Sequence, residues 1–261
     1  MEPLLEVRDL TVQFEKRENS RFMEKGTSKK FAAVDSVSFC LYPGEILGIV
    51  GESGSGKSTV ARAVTRLIPV SSGSIRLDGE EITYKKGRRL REIYRKMQMV
   101  FQSPADSFDP GKTLGSGIGE SLRNNGMPRK EIRQEVKRLL RSCGLPEEYA
   151  ERYPREVSGG QCQRAAIARA LAIRPKIIIF DEATSALDVT VQKTIMELLS
   201  RIKRSGGLSY LFICHDLALV QEFCDRILVM YHGKIVEEGA PDDVISHPRE
   251  EYTRQLIDAV L

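Results

Sequence analysis

Apolar and polar side chains alternate through residues 4–14 (LLEVRDLTVQF) and 33–42 (AVDSVSFCLY), the period of strands with one buried face. Between them, EKRENSRFMEKGTSKK is polar, rich in lysine and read as a loop. EILGIV, residues 45–50, is a continuous apolar run, as in a strand covered on both faces. It feeds a glycine-rich loop and then a helix that Pro69 is expected to end. From Pro104 to Pro154 no apolar strand appears, and RKEIRQEVKRLLRSCGL sets Ile132, Val136, Leu139 and Leu140 on one helical face. Afterwards KIIIF, VQKTIMELLSRIKRSG, YLFIC and DLALVQEFC restore a strand and helix rhythm, the pattern of a parallel sheet wound with helices. RILVMYHGKIVEEG reads as a hairpin turning at His232-Gly233.

Composition narrows the class. A chain of 261 residues with 41% hydrophobic and 29% charged side chains can bury a full core. Its 40 basic residues against 36 acidic ones describe a mixed surface, without the basic excess of a nucleic-acid face. The start, MEPLLEVRDL, lacks the basic and apolar blocks of a secretion signal, and no apolar run approaches the roughly 20 residues of a membrane span. Five cysteines (Cys40, Cys143, Cys162, Cys214 and Cys224) form no C-x-x-C pair, which suits reduced, packed thiols better than disulfides or zinc.

The chemistry begins at GESGSGKST, Gly51 to Thr59, between a strand and a helix. Gly51, Glu52, Ser53, Gly54, Ser55 and Gly56 supply a backbone that wraps a polyphosphate, Lys57 neutralises the outer phosphates, and the Ser58 hydroxyl ligates Mg2+. A second metal-directed oxygen is expected at a strand's carboxyl end, where IIIFDE places Asp181 as a water-mediated Mg2+ ligand and Glu182 as the base for an attacking water. His215 ends the next apolar strand, within reach of a γ-phosphate, although a lone histidine is more often structural. Gln102, in MVFQSP, follows another strand-like run, where its amide can serve Mg2+ or water.

VSGGQCQRAAIARAL adds a second candidate cradle. Ser158 is a good N-cap, Gly159 and Gly160 permit close backbone approach, and Gln161 opens a strong helix whose first N–H groups can face an anion. An ordinary capped helix explains the same residues. If both cradles bind phosphate, the second serves the nucleotide of a neighbouring subunit.

In order, GESGSGKST, FQSP, VSGGQCQRAAIARAL, IIIFDEATSALD and FICHD resemble the Walker A, Q-loop, signature, Walker B with D-loop, and switch-histidine motifs of ABC transporter ATP-binding subunits. The resemblance covers essentially the whole chain. It implies an α/β P-loop NTPase with a RecA-like parallel sheet core, an N-terminal antiparallel β-subdomain and an α-helical subdomain inserted at about 103–160 within one domain, 1–261. It also implies ATP and Mg2+ as ligands, with Ser58, Gln102 and Asp181 serving the metal, Glu182 as base and His215 sensing the γ-phosphate. Ser158 to Gln161 then close over the ATP of a partner ATPase packed head to tail, and Asp188 connects the two sites. An aromatic residue after the first strand stacks on adenine: Phe14 is the choice, with Phe22 or Phe31 as alternatives. Val157 and Cys214 depart from the commonest family residues, and neither change removes a catalytic group.

Within the family, VFQSPADSFDPGKTLGSGIGESL and HPREEYTRQLIDAVL are similar to oligopeptide, dipeptide and nickel importer ATPases of bacteria. The long loop before Ala33 is closer to the oligopeptide F-type or nickel E-type subunit, and the ending at Leu261 implies no iron–sulfur extension. Such importers pair two different ATPase subunits with two transmembrane permease subunits and an extracytoplasmic substrate-binding protein. The resemblance implies a peripheral place at the cytoplasmic face of the cell membrane and no nucleic-acid partner. An exporter ATPase remains the alternative within transport. Non-transport ABC ATPases of the repair or clamp type need a coiled coil that residues 104–154 are too short to hold.

Overall fold

The computed structural model describes residues 1–16, 29–185 and 187–259. Ten strands form there: β1 (Leu5–Lys16), β2 (Lys29–Leu41), β3 (Ile46–Val50), β4 (Ser72–Leu77), β5 (Glu80–Glu81), β6 (Met97–Val100), β7 (Ile177–Asp181), β8 (Ser209–Ile213), β9 (Arg226–Tyr231) and β10 (Lys234–Gly239). The chain divides into two compact units, one of Met1–Tyr42, Leu47–Leu90 and His215–Leu261, the other of Pro43–Ile46 and Arg91–Cys214. Among the described residues no helix is long and apolar enough to cross a membrane.

The first unit contains an antiparallel sheet in the order β2-β1-β4-β5. Its strands bury Leu5, Val7, Leu10, Val12, Val34, Val37 and Leu41, and shifts of register between Val7 and Leu10 and between Leu10 and Val12 interrupt the strict alternation of the sequence. The same unit holds β3, parallel to β9, which pairs antiparallel with β10 through the turn at His232 and Gly233. Every residue of β3 is buried, which explains its unbroken apolar run. Strands β4 and β5 lay outside the sequence reading because Ser72–Leu77 mixes glycine, serine and arginine with few apolar side chains. The helix Lys57–Val64 stops before the expected end at Pro69. The Thr65 hydroxyl donates to the Ala61 carbonyl at 2.8 Å, and Arg66 turns left-handed at φ 60°, a stop usually assigned to glycine.

The second unit contains β8, β7 and β6 in that order, all parallel, with Met97 to Val100 opposite Ile177 to Phe180 and Ile177 to Asp181 opposite Ser209 to Ile213. β7 and β8 are fully buried. The Phe180 and Tyr210 rings meet edge to face at 5.3 Å, and the Tyr210 hydroxyl donates to the Leu199 carbonyl, so the one polar atom of that large side chain is satisfied. From Ala105 to Glu156 the described elements are α- and 3-10 helices only. The helix Arg129–Ser142 buries Ile132, Val136, Leu139 and Leu140, the expected face. Four cysteines are buried and Cys40 is half-buried, all as free thiols.

Candidate functional site

The glycine-rich loop is set by what surrounds it in the first unit. Gly56 holds φ at 108°, and a Cβ there would lie 2.4 Å from the Ala33 carbonyl oxygen and 2.8 Å from Met230 Cε. Gly51 is equally confined, with the Met230 carbonyl oxygen 2.2 Å from a Cβ position. Neither site accepts a larger residue, so the backbone itself is presented. The Gly233 N–H donates to the Ser55 carbonyl at 2.9 Å, and the Glu52 N–H donates to the Tyr252 hydroxyl at 3.0 Å. Ser53, Gly54 and Glu52 are exposed, whereas Ser55 and Lys57 are buried.

The Lys57 ammonium donates to the Gly51 and Glu52 carbonyls, each at 2.7 Å. It therefore stands over the loop beside a helix N-terminus that no side chain caps. Ser58 and Thr59 lie in that first turn, whose N–H groups point along the axis towards the loop. A cradle without side-chain bulk, a buried cation and a helix N-terminus fit a nucleotide polyphosphate.

At the end of β7, Asp181 is only 2% exposed. Glu182 follows at φ 48°, a left-handed backbone for a non-glycine residue, and its N–H donates to the Ile213 carbonyl at 3.1 Å. Such strain is retained where surrounding bonds fix it. The Gln102 amide donates to the Glu182 carboxylate at 3.1 Å, so the two predicted residues meet across 80 positions of sequence. Arg169, which the sequence reading did not single out, anchors the segment after Gln102: it donates to the Ser107 carbonyl and hydroxyl and lies 4.4 Å from the centre of the Phe108 ring.

Ser158 caps the helix Gly159–Leu171 as anticipated, in a reciprocal capping box with Gln161. The Gln161 N–H donates to the Ser158 hydroxyl at 3.3 Å, and the Ser158 N–H donates to the Gln161 side chain at 2.9 Å. The two glycines differ in a way their sequence conceals. A Cβ on Gly160 would lie 2.4 Å from Val191 Cγ1, whereas one on Gly159 meets only Leu187 at 3.6 Å. Gly160 is thus required by helix packing, and Gly159 leaves its backbone open. Asp188 caps the helix Val189–Gly206 by accepting from the Val191 N–H at 3.0 Å.

His215 is exposed just beyond β8, next to Asp216, whose carboxylate caps the helix Leu217–Phe223. Phe14 and Phe31 are opposite each other in the β1–β2 register, and both are exposed. Phe22 lies outside the described residues.

These features define a P-loop nucleoside triphosphatase with an antiparallel N-terminal sheet and a set of parallel strands. A family model described as ABC transporter matches residues 34–185, and the chain belongs to that family. The oligopeptide transport ATP-binding protein OppF of Escherichia coli (strain K12) is 46% identical over 259 residues, 98% of this chain and 77% of that protein. The glutathione import ATP-binding protein GsiA of Pectobacterium atrosepticum is 46% identical over 260 residues, 99% of this chain but 41% of that protein. The chain therefore spans about two fifths of the length of the glutathione relative. Among solved structures, cbiO1 from Clostridium perfringens, part of the ABC transporter complex cbiONQ, superposes with a TM-score of 0.79 at 27% identity, covering 95% of this chain and 92% of that one. A dimeric ATP-binding cassette in a post-hydrolysis state with ADP and Pi matches equally, with a TM-score of 0.79 at 29% identity over 91% of this chain and 98% of that one.

Proposed function

We propose that this chain is the ATP-hydrolysing subunit of a bacterial ABC importer for peptides or peptide-like cargo. The observation that carries the catalytic part is the Gln102–Glu182 hydrogen bond at the end of a buried strand. The relatives named for oligopeptide and glutathione import support peptide rather than nickel as the cargo. In this reading Gly51 to Thr59 bind the triphosphate, and Glu182 orients and deprotonates the attacking water while Gln102 holds its carboxylate. His215 senses the γ-phosphate. Bound Mg2+ neutralises charge on the phosphate oxygens, and Ser58, Asp181 and Gln102 are the residues that would hold it.

ATP acts across a head-to-tail pair with a second, homologous ATPase subunit. The exposed Gly159 backbone, with Ser158 and Gln161, contacts the partner's nucleotide, and Asp188 contributes through the helix it caps. Phe14 stacks on adenine, with Phe31 beside it on the neighbouring strand. Residues 103–160 form the helical insert that moves against two transmembrane permease subunits. Those subunits hold the chain at the cytoplasmic face of the membrane, and an extracytoplasmic binding protein delivers the cargo.

A pull-down of the tagged chain from its native membrane tests this assembly. Recovery of a second ATPase, two multispanning subunits and a peptide-loaded binding protein is the expected result. Recovery with DNA or ribosomes, or of the chain alone, overturns the import reading and leaves the nucleotide site standing.

A further inference from the structure

The glycine-rich loop is held at two points by residues far away in sequence, and a line of aromatic rings joins those two points. The Gly233 N–H donates to the Ser55 carbonyl, and the Tyr252 hydroxyl accepts from the Glu52 N–H. Between them His232 lies 4.1 Å from Tyr231, ring centre to ring centre, and Tyr231 stacks on Tyr252 at 3.9 Å with 27° between planes. Tyr252 lies in the first turn of the helix Glu251–Asp258 and is itself 9% exposed. Burial raises its phenol above the ordinary range, so the hydroxyl stays neutral where the protein works. The held positions bracket Ser53 and Gly54, and a Cβ on Gly54 would meet nothing within 4 Å. The exposed centre of the cradle thus hangs between two fixed amide contacts.

We propose that Tyr252 is a positioning residue of the phosphate cradle, so that the C-terminal helix sets the geometry of the loop that receives the nucleotide. The inference rests on the reading of Gly51 to Thr59 as an ATP site. A backbone N–H that loses its acceptor must find another, from solvent or by a shift of the chain. Glu52 sits where the chain leaves β3 and starts to curl. Freeing its amide lets the turn closed by the Ser55 N–H to the Glu52 carbonyl, 3.2 Å, drift away from the phosphates.

Tyr252→Phe removes the hydroxyl and keeps the stacked ring. In the full chain, affinities for ATP and ADP are expected to fall about threefold to tenfold, the worth of one hydrogen bond, while adenosine binding stays unchanged. Exchange of the Glu52 amide with solvent deuterium is expected to quicken. Leu256→Ala is the structural control, since it trims packing on the same helix and keeps the hydroxyl. It should lower the melting temperature more than Tyr252→Phe yet weaken ATP less. ATP affinity in Tyr252→Phe within twofold of wild type overturns the proposal, as does an affinity loss that follows melting temperature alike in both variants. If Tyr252→Phe does not fold, rapid exchange at the wild-type Glu52 amide overturns it and strong protection supports it. Failure of the wild-type chain to bind any nucleotide would instead remove the ATP-site reading.

Discussion

The Gln102 side-chain amide donates to the Glu182 carboxylate at 3.1 Å, joining the second residue after β6 to the first after β7. Strands β6 and β7 pair in parallel, with Val100 opposite Phe180, so both chains leave the sheet at the same edge. The amide fixes one carboxylate oxygen and leaves the other for a water. Glu182→Gln should retain ATP binding while steady-state phosphate release falls by roughly 10²- to 10⁴-fold, the usual worth of a positioned base. Gln102→Ala should cost less, because it disturbs orientation only. Turnover of Glu182→Gln near the wild-type rate would remove Glu182 as the base.

The left-handed backbone of Glu182 gives a second, opposing readout. Glycine takes φ 48° without the Cβ penalty that a glutamate bears. Glu182→Gly should therefore be inactive yet at least as stable as wild type, with a gain up to about 1 kcal/mol in a denaturant titration. A clear loss of stability would mean that the carboxylate supports the fold and that its strain serves no catalytic purpose.

The two glycines of the signature helix separate packing from ligand contact. In Gly160→Ala the new methyl collides with Val191, whose β-branched side chain has little rotamer freedom on a helix. Overpacking of this kind costs about 1–3 kcal/mol, and Val191→Ala in the same chain should recover most of it. Gly159→Ala has room and should leave the melting temperature unchanged. A drop in ATP turnover with Gly159→Ala would therefore report a ligand pressed against that backbone, and unchanged turnover would argue against the trans contact.

Much of this was legible because the signals are local. The run EILGIV, the spacing of glycines before Lys57 and the pair Asp181–Glu182 mark, each within a few residues, a buried strand, a loop before a helix and a strand end. The N-cap at Ser158 and the hairpin turn at His232 were equally readable. What escaped depends on distant neighbours. β4 is a strand because β1 supplies its partners, with Val7 opposite Ile75, and its own sequence lacks a strong alternation. Arg66 ends a helix in a conformation for which sequence offers no arginine preference. The need for glycine at 160 comes from Val191, and the contact between Tyr252 and Glu52 spans 200 positions.

Lys57 should separate binding from folding. Lys57 is 3% exposed and its ammonium is bonded to loop carbonyls, so Lys57→Ala removes the cation without opening a large apolar cavity. Hydrogen bonds from a charged donor contribute about 1.5–3 kcal/mol, so ATP affinity should fall by roughly 10- to 100-fold in a calorimetric titration. Adenosine, which carries no phosphate, should bind as before. Equal losses for both ligands would place the role of Lys57 in the loop's structure and not in phosphate recognition.

Two buried thiols predict how the fold responds to alkali. Burial pushes Cys143 up to about 12 and Cys162 up to about 11, from an ordinary value of 9.0. Unfolded, both thiols lose protons above pH 9, whereas the folded chain keeps them. The unfolded state then binds fewer protons, so stability falls as pH rises. The contribution is fully present below pH 9 and is lost progressively towards pH 11 for Cys162. Tyrosines and lysines titrate in the same window, so the measurement is a comparison: urea unfolding of wild type and Cys162→Ala at pH 8, 9, 10 and 11. The variant should show the shallower decline above pH 9 and the same slope below it. Parallel curves throughout would mean that the Cys162 thiol is solvated well enough to ionise in place.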